Sequence, residues 1–404
     1  MGIDVRAITD EEVPAFARTC AAGFGENADE ATGMHPRWIA LELDRTRAAF
    51  DGDELVATSR NYSFELTVPG GALVTAAGVS AVAVLPTHRR RGILTAMMNA
   101  LLDDAIERGE PVAMLTASEG EIYGRFGFGV TTRAAALEID PRAAEFVRPR
   151  PGGRLRFVTP EEAQKHAPAV FDRVRRASPG AISRSEVWFA ENQFHPEAGN
   201  RGDVLYESED GIVQGFVNYG IKDRWDFDPA STLNVRDLVA ATPDALHALW
   251  RFVCEIDLVR TVRSDRLPVD SPLGWMLTSA RALRVRNVAD YVWTRVLDVP
   301  VALGARTYAS RGRIVLEVRD PFRPGGAAAG TFTVEGAPDG ASVTAGGTSD
   351  LVVDVSTLSA AWLGGVRWST LAEAGLVEEQ TSGSLARADA MFASTPLPYP
   401  YTWF

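Results

Sequence analysis

Residues 82–94 read Val82-Ala-Val-Leu-Pro-Thr-His-Arg-Arg-Arg-Gly-Ile-Leu94, an apolar run that passes through three arginines and a glycine into an amphipathic segment. The β-branched run ending at Pro86 predicts a strand; Ile93, Leu94, Met97, Met98, Leu101, Leu102 and Ile106, at three-to-four spacing, predict a helix. Between them, Gly92 lets the backbone approach a ligand, and the first amides of the helix point outward at the positive end of its dipole. Such a turn suits a phosphate. The plain alternative is that Arg89, Arg90 and Arg91 form a solvated charge run. Against it stand the position between strand and helix, the glycine at the point of closest approach, and a formal charge of -12 on the whole chain. A cationic turn on an anionic surface focuses a small polyanion, whereas a nucleic-acid groove needs basic residues spread along a face. No nucleic-acid partner is expected.

The 404 residues predict two or three domains, and 46% apolar with 23% charged residues is the composition of a globular protein. The longest weakly polar stretch, Ala72 to Pro86, is too short to span a bilayer and contains Thr75 and Ser80. The first residues lack a basic region followed by an apolar one, and Arg6 stands where a myristoylation signal needs Ser or Thr. A cytoplasmic location without a membrane span is expected. Cys20 and Cys254 offer neither a disulfide framework nor a metal cluster, and His35, His88, His166, His195 and His247 have no zinc-binding spacing. No metal site is expected. His88, inside the turn, is either solvent-facing or a positioning residue.

The first third alternates strands and helices. A helix is expected over Ala15–Phe24, a hairpin from Arg47–Asp51 and Glu54–Tyr62, strands over Leu73–Leu85 and Pro111–Thr116, and a short helix opening near Ser118. This order predicts an α/β module over residues 1–150. The Pro, Arg and Gly of residues 141–160 mark a boundary. Beyond it the rhythm repeats, with strands at Val204–Glu207, Val213–Ile221, Leu233–Ala240 and Val259–Arg263 and a helix over Pro243–Cys254. The turn Ala240-Ala-Thr-Pro-Asp244 has neither arginine nor glycine, so residues 151–298 read as a second, degenerate copy. From residue 299 strands are expected at Arg313–Val318, Gly330–Val334, Ser342–Ala345 and Leu351–Val355, then helices at Leu358–Leu363 and Ser384–Phe392, an α+β module.

Val82 to Leu94 resembles motif A of the GCN5-related N-acetyltransferases (GNAT), whose turn holds the pyrophosphate of acetyl-coenzyme A. Arg89, Gly92 and Leu94 occupy the motif positions. Downstream, Leu115-Thr-Ala-Ser-Glu-Gly-Glu-Ile-Tyr-Gly-Arg-Phe-Gly-Phe-Gly129, together with the terminal aromatic Phe404, resembles the enhanced intracellular survival (Eis) acetyltransferases. In that family Leu is usual at the place of Leu94. The resemblance implies tandem GNAT modules, the second degenerate, followed by a sterol-carrier-like domain over residues 299–404. It also implies a homo-oligomer, a hexamer in relatives.

Acetyl transfer needs an anchored donor, a polarised carbonyl, a proton for the departing thiolate and a base for the amine. The main chain of Val82, Ala83 and Val84 can take the donor's amide-rich arm by β-augmentation and offer an N–H to the thioester oxygen, worth about 3 kcal/mol when well aimed. Arg90, Arg91, Gly92, Ile93, Leu94 and Thr95, with Arg89, would hold the pyrophosphate. Ser118 and Glu121 have the spacing of a capping box; the resemblance adds donor contacts from Ser118 and Glu119. Among Phe126, Phe128 and the glycines, Tyr123 reads as core, as a hydrogen-bonded anchor or as an acid; the resemblance makes it the general acid. The resemblance likewise makes the Phe404 α-carboxylate the base, against a frayed terminus as the ordinary reading. For the acceptor, Phe24 and Glu26 precede Met34 and Trp38, and acids beside aromatics can hold a cationic amine or simply form a solvated loop. Some relatives acetylate aminoglycosides or lysine amines with an acidic penultimate residue; here that place is Trp403. The expected activity is acetyl-coenzyme A-dependent N-acetylation of a primary amine. The alternatives are a non-catalytic acyl-coenzyme A-binding protein and a lipid- or partner-binding scaffold.

Overall fold

The computed structural model describes residues 2–26, 42–193, 201–222 and 231–404. They form two compact units: Met1–Thr131 with Val292–Ser394 and Trp403–Phe404, and Thr132–Tyr291 with Thr395–Thr402. No helix among the described residues is long and apolar enough to cross a membrane.

In the first unit, β1 (Ile3–Arg6), β2 (Ala48–Asp51), β3 (Glu54–Thr67), β4 (Leu73–Val84), β5 (Val112–Leu115) and β6 (Gly129–Val130) belong to one seven-stranded sheet. Its remaining strand, Trp293–Val296, lies between β5 and β6 and is antiparallel to both. The second unit carries β7 (Arg133–Ile139), β8 (Arg154–Phe157), β9 (Arg201–Glu207), β10 (Val213–Lys222), β11 (Ser231–Ala240), β12 (Val259–Pro268) and β13 (Leu283–Asp290), in the order β13-β7-β12-β11-β10-β9-β8. With Trp293–Val296 as β14, the expected boundaries at 150 and 298 do not coincide with strand pairing. Before 150, β7 pairs with β12 and β13; before 298, β14 pairs with β5 and β6. Neither strand has a turn signal tying it to a neighbour, so its partners are chosen by open sheet edges rather than by local sequence.

The first sheet is covered on both faces. Helix Ile93–Glu107 buries Met98, Leu101, Leu102 and Ala105 against Ala77, Val79 and Leu115. On the opposite face, helix Val13–Phe24 packs Phe16 and Cys20 against Ala48, Phe50 and Leu55. A buried charge cluster ties the chain before β2 to the end of helix Ile93–Glu107. Arg45, 1% exposed, makes two hydrogen bonds to Glu110, at 2.8 and 2.6 Å, and one to Asp104 at 3.3 Å. Arg47 and Arg108 also bind Asp104, so its buried carboxylate is compensated.

Helix Pro160–Arg176 begins where the expected 141–160 boundary ends, in a stretch for which no element was expected. Thr159 caps it by accepting from the Glu162 amide, and Ala163, Ala167, Val170, Phe171 and Val174 form its buried stripe. The internal Pro168 and a polar opening hide that stripe in the sequence. In the same unit, Arg184 secures the C-terminal segment by donating to the Thr402 hydroxyl at 2.9 Å and to the Tyr401 carbonyl, while pairing with Asp237 at 2.6 Å.

The third sheet belongs to the first unit. It has β15 (Gly312–Arg319), β16 (Gly330–Ala337), β17 (Gly340–Ala345), β18 (Leu351–Asp354) and β19 (Val377–Glu379) in the order β17-β16-β15-β18-β19. Helix Val355–Ala361 docks on β14 and β6, which explains two glycines of the Phe-Gly-Phe-Gly string. The Arg295 guanidinium fills the place of a Cβ at Gly127, and the Ser356 carbonyl the place of one at Gly129. Arg295 pairs with buried Asp320 at 2.5 Å, and Trp362 donates to Thr294 at 2.9 Å.

Candidate active site

Strand β4 organises the site through a bulge. In its register with β3, Thr58 faces Ala83 but Arg60 faces Ser80, so two residues, Ala81 and Val82, oppose Ser59. Ala81 has φ 55. The bulge reverses the faces of the strand. Ala77 and Val79 pack toward helix Ile93–Glu107, whereas Ala81 and Ala83, which have the same parity, pack with Phe16 and Cys20. Val82 consequently turns to the side of helix Ile93–Glu107.

On its other edge β4 pairs with parallel β5 only from Ala76 to Gly78, opposite Val112 to Met114. Beyond Gly78 the two strands separate while β4 continues to Val84. An open edge of this kind accepts an extended, amide-bearing chain. It leads into the turn that the sequence singles out, where Arg90 has φ 63 and Gly92 has φ 79. Left-handed residues around Arg91 curve successive amides into a concave nest, and helix Ile93–Glu107 begins there with no side-chain cap to occupy its first amides.

The arginines divide their work. Arg89 donates to the Val84 carbonyl at 3.3 Å and to the Gly23 carbonyl at 3.1 Å, bracing the turn against the end of helix Val13–Phe24. Gly23 permits this approach, because a Cβ there would lie 2.6 Å from that of Ala83. Arg91 pairs with Asp51 at 3.1 Å, and His88 lies 3.5 Å from the same carboxylate. Arg90 is exposed and, among the described residues, carries no hydrogen bond or ion pair. Its guanidinium is the one of the three that neither the main chain nor a carboxylate engages among the described residues.

Past β5, helix Gly120–Tyr123 starts with Glu119 at its N-cap and has no side-chain cap hydrogen bond. The Ser118–Glu121 capping box is thus not formed: the helix opens one residue later than that spacing requires. Tyr123 is 5% exposed, in the cluster of Ala77, Val79 and Leu115, with its ring 6.1 Å from that of Phe128. Burial, aided by the Glu119 charge, raises its phenol to about 12, so it stays protonated at neutral pH.

Phe404 reaches the place where β4 and β5 part. Its ring meets Phe64 edge-on at 4.8 Å, and a Cβ on Gly78 would lie 3.2 Å from it. The Thr116 hydroxyl, one residue past β5, donates to the Phe404 main-chain oxygen at 2.8 Å. The free edge of β4, the protonated Tyr123 phenol packed against Ala77, Val79 and Leu115, and Phe404 beside Gly78 and Thr116 all border this splayed strand pair.

Residues 4–131 and 180–296 each match an acetyltransferase (GNAT) domain family, and residues 299–401 match a sterol carrier protein domain family. N-acetyltransferase Eis of Mycobacterium tuberculosis is 36% identical over 356 residues, spanning 85% of this chain and 84% of that one. The chain belongs to the Eis-like family of GNAT N-acetyltransferases. An uncharacterized N-acetyltransferase of Streptomyces avermitilis is 39% identical, covering 98% of this chain and 97% of its own. The crystal structure of Eis1 from Mycobacterium abscessus superposes with a TM-score of 0.87 at 34% identity, over 100% of both chains.

The Eis-like arrangement of two GNAT modules makes their differences informative. In the second, β10 and β11 are antiparallel and β11 and β12 parallel, repeating the relation of β3, β4 and β5. Its turn contains no left-handed residue, and the Thr242 hydroxyl accepts from the Ala245 amide at 3.2 Å. A side chain there takes up an amide that the first module leaves open. Of the expected acceptor residues, Phe24 is 50% and Trp403 46% exposed, and Glu26 is exposed. Trp38 and Met34 lie outside the described residues. Sequence reasoning missed Gly78, Phe64 and Thr116. Gly78 left a faint trace, as a glycine within an otherwise apolar strand.

Proposed function

We propose that the chain transfers the acetyl group of acetyl-coenzyme A to a primary amine by direct attack in a ternary complex. The observation that carries this reading is that the open β4 edge is bordered by buried Tyr123, packed against Ala77, Val79 and Leu115, and by Phe404, beside Gly78 with an oxygen held by Thr116. The residues fit the donor. Arg90 and the nest through Gly92, with the first amides of the following helix, suit its pyrophosphate, and the free edge of Val82 to Val84 suits its amide arm. Once bound, the donor supplies a thioester carbon open to nucleophilic attack.

The chain's own groups then have distinct tasks. The Val82 amide polarises the carbonyl, and the Phe404 carboxylate takes the proton that the nitrogen sheds as its bond to the acetyl carbon forms. Tyr123 gives its proton to the sulfur as the carbon–sulfur bond breaks. A terminal carboxyl of pKa about 3.5 is a weak base, so this role needs desolvation in the ternary complex or a relay water. Phe24, Glu26 and Trp403 are the described residues that would receive the amine in this reading; Trp38, expected beside them, lies outside the described residues.

Incubation of the protein with acetyl-coenzyme A and a panel of aminoglycosides, lysine peptides and small diamines, read as free thiol released, should give turnover that depends on an amine. Donor binding without turnover across the panel would favour the non-catalytic alternative. Gly92→Glu tests the cradle separately. A side chain at φ 79 is strained by about 1–2 kcal/mol and brings a negative charge to an anion site. The KM for acetyl-coenzyme A should rise at least about ten-fold with much less change in kcat; unchanged donor affinity would reject the assignment.

A further inference from the structure

We infer that Thr116 is a positioning residue for the base, orienting the Phe404 carboxylate rather than merely satisfying it, an inference that rests on the reading of that carboxylate as proton acceptor. Thr116 follows β5 directly, at the mouth of the splay. Its hydroxyl is the donor of a 2.8 Å hydrogen bond to Phe404 across 288 positions of sequence. Phe404 is thereby held at two points. Its ring lies edge-on to Phe64, both rings packing over the bare backbone of Gly78, and its main-chain oxygen is fixed by Thr116.

The two holds have different consequences. The ring contact sets where the residue lies but leaves the carboxylate free to rotate about its bond to Cα. The hydroxyl removes that rotation by engaging one oxygen, which leaves the other to receive the amine's proton. Donation into a carboxylate also favours its charged form and so makes it a slightly weaker base. A group retained for basicity alone would not be given such a donor. One retained for aim would, because a poorly oriented acceptor loses more rate than a small change in basicity returns.

The titratable and charged groups on the surrounding elements are Arg60 and Tyr62 on the Phe64 face of β3, Glu42 at 3.7 Å from Arg60, and Glu119 and Tyr123 beyond β5. All are retained in the variants that test the inference, so a change in the pH profile reports on the hydroxyl.

Thr116→Val removes the donor at nearly constant volume. It should lower kcat about ten-fold, leave the KM for acetyl-coenzyme A unchanged and move the acid limb of the kcat profile to higher pH, because a carboxylate without its donor protonates more readily. Thr116→Ser, which keeps the hydroxyl, should restore both the rate and the limb. A Thr116→Val enzyme with a lowered melting temperature and an unmoved acid limb would overturn the inference, since a packing role alone predicts that pattern. A form extended past Phe404, measured alongside, separates the two levels. Full activity of the extended form removes the terminal carboxylate as base, and the inference falls with it. An inactive extended form beside a Thr116→Val enzyme of unaltered kcat and acid limb rejects the role of Thr116 alone.

Discussion

Adding two glycines after Phe404 should lower kcat at least about 100-fold while leaving donor binding and the melting temperature near their original values. The reason is chemical before it is steric. Extension converts the α-carboxylate into a peptide carbonyl, which accepts hydrogen bonds but does not take a proton at neutral pH, and a positioned base is worth about 10²–10⁴ in rate. The anchoring of the tail survives the change. Arg184 still binds Tyr401 and Thr402, and the Phe404 ring can stay against Phe64. The check is kcat and KM on the extended form, with calorimetry to show that it is folded. Activity equal to that of the original chain would remove Phe404 from the mechanism.

Tyr123→Phe should have the next largest effect, a fall in kcat of about 100-fold with acetyl-coenzyme A binding preserved. The phenol is buried, and its raised pKa of about 12 suits it to keep a proton until a thiolate needs one. No basic limb from Tyr123 is therefore expected in the kcat profile until the pH approaches that value. The same shift makes a stability prediction of defined sign. An exposed phenol in the unfolded chain ionises near pH 10, below the folded value, so the folded state loses stability as pH rises from about 10 to about 12. The Phe variant should lack this part of the alkaline decline, which denaturant melts at several pH values would detect. A variant with unchanged kcat would remove Tyr123 as the general acid.

Much of the candidate site's local structure was legible in the chain because it is contiguous. The strand, the arginine turn, Gly92 and the helix beginning at Ile93 are contiguous, and hydrophobic period and a glycine suffice to read them. Tyr123 and its glycine-rich string were legible as a motif, although the string alone left core, anchor and acid open. The same locality misled at Ser118 and Glu121, whose spacing suits a cap that the helix does not use. For Arg89 and Arg91, local charge could not say that a carbonyl of residue 23 and the carboxylate of Asp51 had already engaged them.

The amino-acid order by itself determined the elements that depend on near neighbours: the second module's helix Pro243–Cys254, the third module's helix Ser384–Phe392, and the turn through Gly92 into the helix beginning at Ile93. Only the tertiary structure decided the pairings of β7 and β14, the reversal of faces at Ala81, and the meeting of Thr116 with Phe404. These depend on open sheet edges, an extra residue in one strand and a contact between distant residues. Propensity and period act over a few residues, whereas each of these features is selected by the burial and hydrogen bonding of groups far apart in the chain.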